Sequence, residues 1–334
     1  MVAHAPLPAR PLSAGHVLAV DIGGTKLRAG VVGSDGRVLD AAQVPTPSAA
    51  DAETLWTAVS SLVREVLDDP LAAGALACGV GCGGPMRDEG DAVSPLNIPA
   101  WRGFPLRSRL QALTGLPTFV DNDAKALAVA EGRYGSARGR DNYLAMVVST
   151  GVGGGLVADG KLLDGRLGNA GHVGHVVVVP DGRRCACGGR GCLEAEASGT
   201  AIEAATGRAP AEAPPDVVER AGTLVGRAIA SVAALVDLDL AVVSGSVALG
   251  FGAPFFDAAQ AELSARARLD FVAHARVVPG GLGADGPLVG AGAVGFRGLG
   301  RGATWPGATW PGARPAPAGA GPGRDRGGQR GDTR

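Results

Sequence analysis

Aromatic residues are scarce in this chain: Phe, Trp and Tyr make up 4% of its 334 residues. Its cores must therefore be filled by Ala, Val and Leu, and apolar residues reach 46% in all. Strong charge of one sign is also missing. The formal net charge is −1, with seven Arg and two Asp in residues 297–334, so the rest carries −6. An acidic body is a poor non-specific binder of nucleic acid. No apolar run reaches the ~18 residues of a membrane span. The opening MVAHAPLPARPLSAGH lacks the apolar region of a secretory signal. A soluble, cytoplasmic protein without a membrane partner is expected. The five Cys are an odd number, which argues against a disulfide scaffold. No G-x-G-x-x-G follows an early strand, which argues against a nicotinamide cofactor.

Glycine is abundant instead, with 55 residues beside 23 Pro, and it punctuates the pattern. VLAVDIGGT reads as a buried strand ending in a glycine turn, and LRAGVVGSDGRVLDAAQV as two further strands. Residues 51–67 place Leu55, Val59, Leu62, Val63 and Val66 at helical period. A strand near 76–80 enters GVGCGGP, Pro105 opens a helix that Gly115 closes, and TFVDND is a strand end before the helix AKALAVAEGRYG. YLAMVVSTGVGGGLV reads as two strands around a turn, 216–236 as a long helix, LAVVSGSVA as a buried strand, and 288–296 as a last helix. This patterning predicts an α/β protein of two lobes with a cleft between them, and ligands of such sheets gather at strand ends. The expected organisation is a disordered leader over 1–16, a first lobe over 17–120 completed by the helix near 285–296, a second lobe over 121–284, and a disordered tail over 297–334. GATWPGATWPGAR repeats a five-residue unit in that tail, with nothing periodic to bury.

Three of the five Cys lie close together, at Cys185, Cys187 and Cys192, with His175 upstream. Glycines in the C-x-C-x4-C loop let the backbone fold tightly around one point. Three thiolates and one imidazole make a closed tetrahedral zinc site of the structural kind. Chemistry is then expected beside the metal rather than on it. Asp21-Ile22-Gly23-Gly24-Thr25-Lys26 follows a strand. Its glycines permit backbone N–H groups to approach an anion, and Asp21 suits Mg²⁺; a hairpin turn with an incidental acid is the other reading. Thr150-Gly151-Val152-Gly153 forms a second such turn, and Ser244-Gly245-Ser246 a third. Gly155 to Leu162 nearly matches a P-loop, but Leu162 stands where Mg²⁺ needs a hydroxyl. Asp121-Asn122-Asp123 offers an amide beside a carboxylate, fit to fix one sugar hydroxyl and accept the proton of another. Equally, Asn122 and Asp123 are good helix caps. Cys78 and Cys82 read as packing residues.

Together, DIGGTK, VDNDAKA, STGVGGG, GHVGH and CACGGRGCLEAEASG resemble, in order, the motifs of the ROK family of bacterial sugar kinases and related repressors. The resemblance covers about residues 17–296. It implies an actin-like, two-lobed ATPase (ribonuclease H-like) fold and transfer of the ATP γ-phosphoryl group to a hexose 6-hydroxyl with Mg²⁺. It implies Asp123 as general base and Asn122, Glu194, His175, Gly84 and Asn97 around the sugar. Asp21, Gly23, Gly24, Thr25, Lys26, Thr150, Gly151, Gly153 and Gly245 would surround ATP and Mg²⁺. One position departs: where the family usually has G-E-x-G-H, this chain has Gly171-His172-Val173-Gly174-His175. A carboxylate only accepts hydrogen bonds, whereas neutral imidazole donates one and accepts one. The segment is similar to that of N-acetylmannosamine kinases, so the expected substrate is glucose or N-acetylmannosamine. The alternatives are a sugar-responsive transcriptional regulator, against which the short, Pro/Ala-rich stretch before Asp21 speaks, and a sugar-binding protein without turnover. A homodimer or homotetramer is the expected assembly.

Overall fold

The computed structural model describes residues 15–47 and 51–302. The leader through residue 14 and the tail from 303 lie outside the described residues. The chain opens with β1 (His16–Ile22), β2 (Lys26–Gly33) and β3 (Val38–Pro45), an antiparallel meander. Helix α1 (Ala52–Leu67) follows, capped by Asp51, whose carboxylate accepts from the Glu53 and Thr54 N–H groups. It buries Leu55, Val59, Leu62, Val63 and Val66 on one face. Strand β4 (Cys78–Cys82) lies parallel to β1. A small flap of three short strands comes next: β5 (Met86–Arg87), β6 (Ala92–Val93) and β7 (Phe104–Pro105). Helix α2 (Leu106–Thr114) ends where Gly115 turns into the left-handed region at φ 68°. Strand β8 (Thr118–Asn122) pairs parallel with β4. The first sheet thus runs β3-β2-β1-β4-β8. Asp121 and Asn122 close its last strand, so the expected lobe boundary at 121 cuts β8 two residues early.

Helix α3 (Asp123–Tyr134) leads into a second sheet. Strands β9 (Tyr143–Val148), β10 (Val152–Ala158) and β11 (Lys161–Leu162) form another antiparallel meander. The near-match to a P-loop is the β10–β11 hairpin. After the cysteine loop come α4 (Leu193–Ala197), α5 (Gly199–Thr206) and α6 (Pro215–Val236). Strand β12 (Leu240–Ser244) lies parallel to β9; α7 (Ser246–Phe251), α8 (Ala253–Arg266) and β13 (Arg276–Pro279) follow, with β13 parallel to β12. The order β11-β10-β9-β12-β13 repeats the first sheet's meander and parallel additions. One topology, used twice, builds both lobes.

Helix α9 (Gly286–Gly302) returns to pack on β1 and β4 and along α3. Small residues allow the approach: a Cβ on Gly79 would lie 2.1 Å from the Ala291 carbonyl oxygen. The helix does not stop at Phe296. Residues 297–302 continue it, so the expected start of the tail at 297 is wrong for this stretch. The reason lies in Arg297, whose guanidinium reaches Asp121 and Asp164. Separate apolar cores sit on α1 and α2 under the first sheet and on α6 and α8 under the second. Trp101, wholly buried, stacks on Phe104 at 4.2 Å between ring centroids.

Candidate active site

Strand ends of both sheets face one cleft. In the first lobe, Asp21, the last residue but one of β1, is buried. The turn after it is closed by the Gly23 N–H donating to the Lys26 carbonyl, and Thr46 Oγ1 donates to the Gly23 carbonyl. Thr25 and Lys26 are exposed at the turn. Gly24 leaves room for Asn97, whose Nδ2 lies 3.0 Å from where a Cβ would stand. Burial, and next the Asp123 carboxylate, push the Asp21 carboxyl up to about 7 against the pull of Lys26 and Arg28.

Asn122 and Asp123 lie where β8 becomes α3. The Asn122 carboxamide oxygen accepts from the Ala124 and Lys125 N–H groups, so this residue is indeed the helix cap. Its Nδ2 remains directed at the pocket, 3.5 Å from the Cβ position of Gly84. Capping and a polar role in the cleft are therefore compatible. The Asp123 carboxylate accepts from the Ala124 N–H, and burial holds its carboxyl above the usual carboxylate range. Gly81 lies between Asp123 and Asp21: a Cβ there would stand 3.7 Å from Asp123 Cα and 3.8 Å from Asp21 Oδ1.

The second lobe supplies the facing wall. A Cβ on Gly84 would meet His172 Cε1 at 3.2 Å and Nε2 at 3.3 Å, so the imidazole closes over that glycine. Burial, and then His175, hold the His172 imidazole below its usual pKa. The two imidazole centroids are 6.0 Å apart. Glu194, in α4, accepts from the Val152 N–H at 2.9 Å and would lie 2.8 Å from a Cβ on Gly151. Its charge is felt by Asp123. The second glycine turn is tied from both sides: Thr200 Oγ1 donates to the Thr150 carbonyl, and the Ser149 and Ser246 hydroxyls meet at 2.9 Å. Gly153 permits β10 to lie on α3, since its Cβ would stand 2.9 Å from that of Ala124. Gly245 sits at φ 102° with the Val148 carbonyl in the space a side chain needs.

Beside this wall, one ligand atom each from His175, Cys185, Cys187 and Cys192 lie within 4.8 Å of one another. Cys185 Sγ stands 3.6 Å from His175 Nδ1, and the Cys187 and Cys192 sulfurs are 3.7 Å apart. A tetrahedron with ~2.3 Å zinc–sulfur bonds has edges near these lengths. The donor set fits a closed structural metal site.

The model of the ROK family matches residues 17–295. That span covers both lobes and every motif above. The chain belongs to the ROK family. Within it, the chain is 40% identical over 254 residues to an N-acetylmannosamine kinase of Shigella flexneri, covering 71% of this chain and 84% of that protein. Among solved structures, a ROK family glucokinase from Streptomyces griseus in complex with glucose and AMPPNP superimposes with a TM-score of 0.75 at 31% identity, over 85% of this chain and all of that one. A ROK hexokinase from Thermus thermophilus gives 0.73 at 32% identity, over 86% of this chain and all of that one. The fold is accordingly the actin-like ATPase fold of ROK kinases.

In this ROK protein the contacts link Asp21, Gly84, Asn122, Asp123, His172, His175, Glu194 and Gly151 in one series, and Gly24 with Asn97, whereas Gly245 packs against Val148 behind the second turn. Reading the sequence did not find the charges beneath them. Lys125, almost wholly buried, pairs with Asp121 at 2.9 Å and Asp164 at 3.0 Å. Arg297 reaches the same two carboxylates at 2.9 and 2.8 Å. Burial opposes the Asp164 charge, yet Arg297 and Lys125 hold its carboxyl well below the usual range. One signal was available: Lys125 stands four residues after Asp121, and a lone Lys among alanines of an otherwise buried helix needs a partner.

Proposed function

We propose that this ROK protein is an ATP-dependent sugar kinase that phosphorylates the 6-hydroxyl of an N-acyl hexosamine, N-acetylmannosamine first and glucose second. The observation that carries the reading is the meeting of His172 and Asn122 over Gly84, with Asp123 next in the chain to Asn122. In this reading Asp123 accepts the hydroxyl proton as the oxygen attacks the γ-phosphorus. Its raised pKa brings it nearer the pH at which a general base works best. Asn122 Nδ2 donates to a neighbouring hydroxyl. Glu194, His175 and Asn97 border the sugar, and His172 meets the substituent that distinguishes one hexose from another. An imidazole can donate to an acetamido carbonyl, which a carboxylate cannot do. The 40% identical relatives named N-acetylmannosamine kinase support this order of substrates.

The nucleotide lies between the two glycine turns. Gly23, Gly24, Thr25 and Lys26 face its phosphates from one lobe and Thr150, Gly151 and Gly153 from the other, with Gly245 toward the nucleoside. Mg²⁺ beside Asp21 supplies charge neutralisation to the phosphates. Zinc held by His175, Cys185, Cys187 and Cys192 fixes the loop between the sugar wall and Glu194. A coupled assay of ADP release with N-acetylmannosamine, N-acetylglucosamine, glucose, mannose and fructose tests the proposal. N-acetylmannosamine should show the highest kcat/KM. No turnover with any of the five sugars would overturn it and favour a sugar-sensing role.

A further inference from the structure

His172 rides on a loop, residues 163–172, that leaves β11 and returns to the cleft. Nothing in regular secondary structure sets its position. The loop is pinned by side chains and backbone from outside it instead: the Leu163 N–H donates to the Leu156 carbonyl, and Lys125 Nζ donates to the Gly168 carbonyl at 3.0 Å. At its start, Asp164 is gripped by Lys125 and Arg297. Near its end, Gly171 at φ 99° lies so close to β10 that a Cβ would stand 2.3 Å from the Gly154 carbonyl oxygen. Between them, Asn169 leaves its own lobe. Its Oδ1 accepts from the Met86 N–H at 3.0 Å and its Nδ2 donates to the Met86 carbonyl at 2.9 Å.

That pair has a particular geometry. The N–H and C=O of one strand residue point to the same side, and a single carboxamide can satisfy both. Met86 lies in β5, the edge strand of the β5-β6-β7 flap. Asn169 therefore occupies the free edge of the flap as a neighbouring strand would. Met86 is two residues beyond Gly84, the glycine that faces His172 and Asn122. Asn169 is three residues before His172. The two hydrogen bonds join the lobes at the point where the proposed sugar wall of one meets that of the other.

We infer that Asn169 is a positioning residue that latches the His172 loop of the second lobe to the Gly84–Met86 wall of the first, and so sets the sugar site without touching the nucleotide. The inference rests on the sugar-kinase reading for its functional half only. Opening the cleft requires the latch to break, and sugar binding holds it closed. The nucleotide turns at 23–26 and 149–151 are tied by other contacts, through Thr46, Ser246 and Thr200.

The test uses the full chain. Asn169→Leu keeps the branched outline of the side chain and removes both hydrogen bonds. The sugar KM should rise about tenfold, with the ATP KM within about twofold and kcat at saturating sugar within about threefold. Hydrogen exchange on the sugar-free protein should show the Met86 amide losing protection while bound zinc stays unchanged. Should Asn169→Leu fold poorly, Asn169→Ala removes both hydrogen bonds without added bulk, and exchange at Met86 should again quicken. Unchanged Met86 exchange overturns the latch, and so does a rise in the ATP KM matching that in the sugar KM. If the wild-type protein phosphorylates no sugar, the kinase reading fails on its own, and the exchange measurement still decides the latch.

Discussion

Three side chains in the cleft make the chemistry separable. Asp123→Asn keeps the shape of the site and removes the base. Binding of ATP and sugar should persist while kcat falls about 10²-fold or more, the usual scale of acid–base catalysis. Turnover within threefold of wild type would exclude Asp123 as the base. His172→Glu restores the family's common residue. Exchanging one hydrogen bond of about 1–3 kcal/mol should move the kcat/KM ratio of N-acetylmannosamine to glucose at least about tenfold toward glucose. An unchanged ratio, with both activities retained, would confine His172 to packing. Asp21 gives a pH signature. Its folded pKa is raised from 3.8 to about 7, so between those values the folded state holds a proton that the unfolded state has lost. Stability from this residue is therefore lost as pH rises through that window and is level above it. Asp21→Asn should remove that slope, so its melting temperature should gain on wild type between about pH 4 and 7 and run parallel beyond. Parallel curves throughout would mean that Asp21 titrates normally. Asp123, also raised by burial, contributes to the wild-type slope in the same sense. Cys78 and Cys82 offer no such handle: both are buried, and burial raises Cys78 to about 12.

At the scale of elements, the cysteine loop carries the clearest expectation. Cys187→Ser should lower the zinc content from one per chain. It should raise the sugar KM more than the ATP KM, because the loop ends on Glu194 and begins at His175. Full sugar affinity in a metal-free protein would refute this. The same loop shows what was legible from sequence. Spacing of His and Cys is a local property, and so are strand-turn units such as Asp21 to Lys26, the period of α1 and the Gly115 cap of α2. Each is decided by residues within a few positions. Two elements were not legible for one shared reason. The β5-β6-β7 flap has strands of two residues, too short for any alternation to show. The loop 163–172 is shaped by contacts with Met86, Gly154, Lys125 and Arg297, all distant in the chain. Asn169 looked like any polar loop residue because its partner is a backbone 83 positions away.

Across the whole molecule, the two lobes share a seam. Helix α9 belongs by position to the end of the chain, yet it packs on the first sheet and along α3, the helix that enters the second. At its last turns Arg297 joins Asp121 of the first sheet to Asp164 of the second lobe, with Lys125 completing two carboxylates and two cations. Composition hid this: in the sequence Arg297 looks like the first residue of an arginine-rich tail. Such a cluster is weak evidence of net stabilisation, since burying four charges costs nearly what their attraction returns. Removing one member is different, because it leaves the remaining charges unbalanced. Arg297→Met should therefore destabilise the protein. A fully buried pair would lose about 3–5 kcal/mol. Here Asp164 is 38% exposed, and solvent screens part of the imbalance, so a loss of about 1–3 kcal/mol is expected. Arg297→Lys should recover only part of it, since an ammonium lacks the planar fork with which the guanidinium makes two hydrogen bonds to Asp164 and one to Asp121. Denaturant unfolding of the three proteins at neutral pH measures the series. Equal midpoints for wild type and Arg297→Met would mean that the seam holds without its charges, and that packing of α9 on α3 is what joins the lobes.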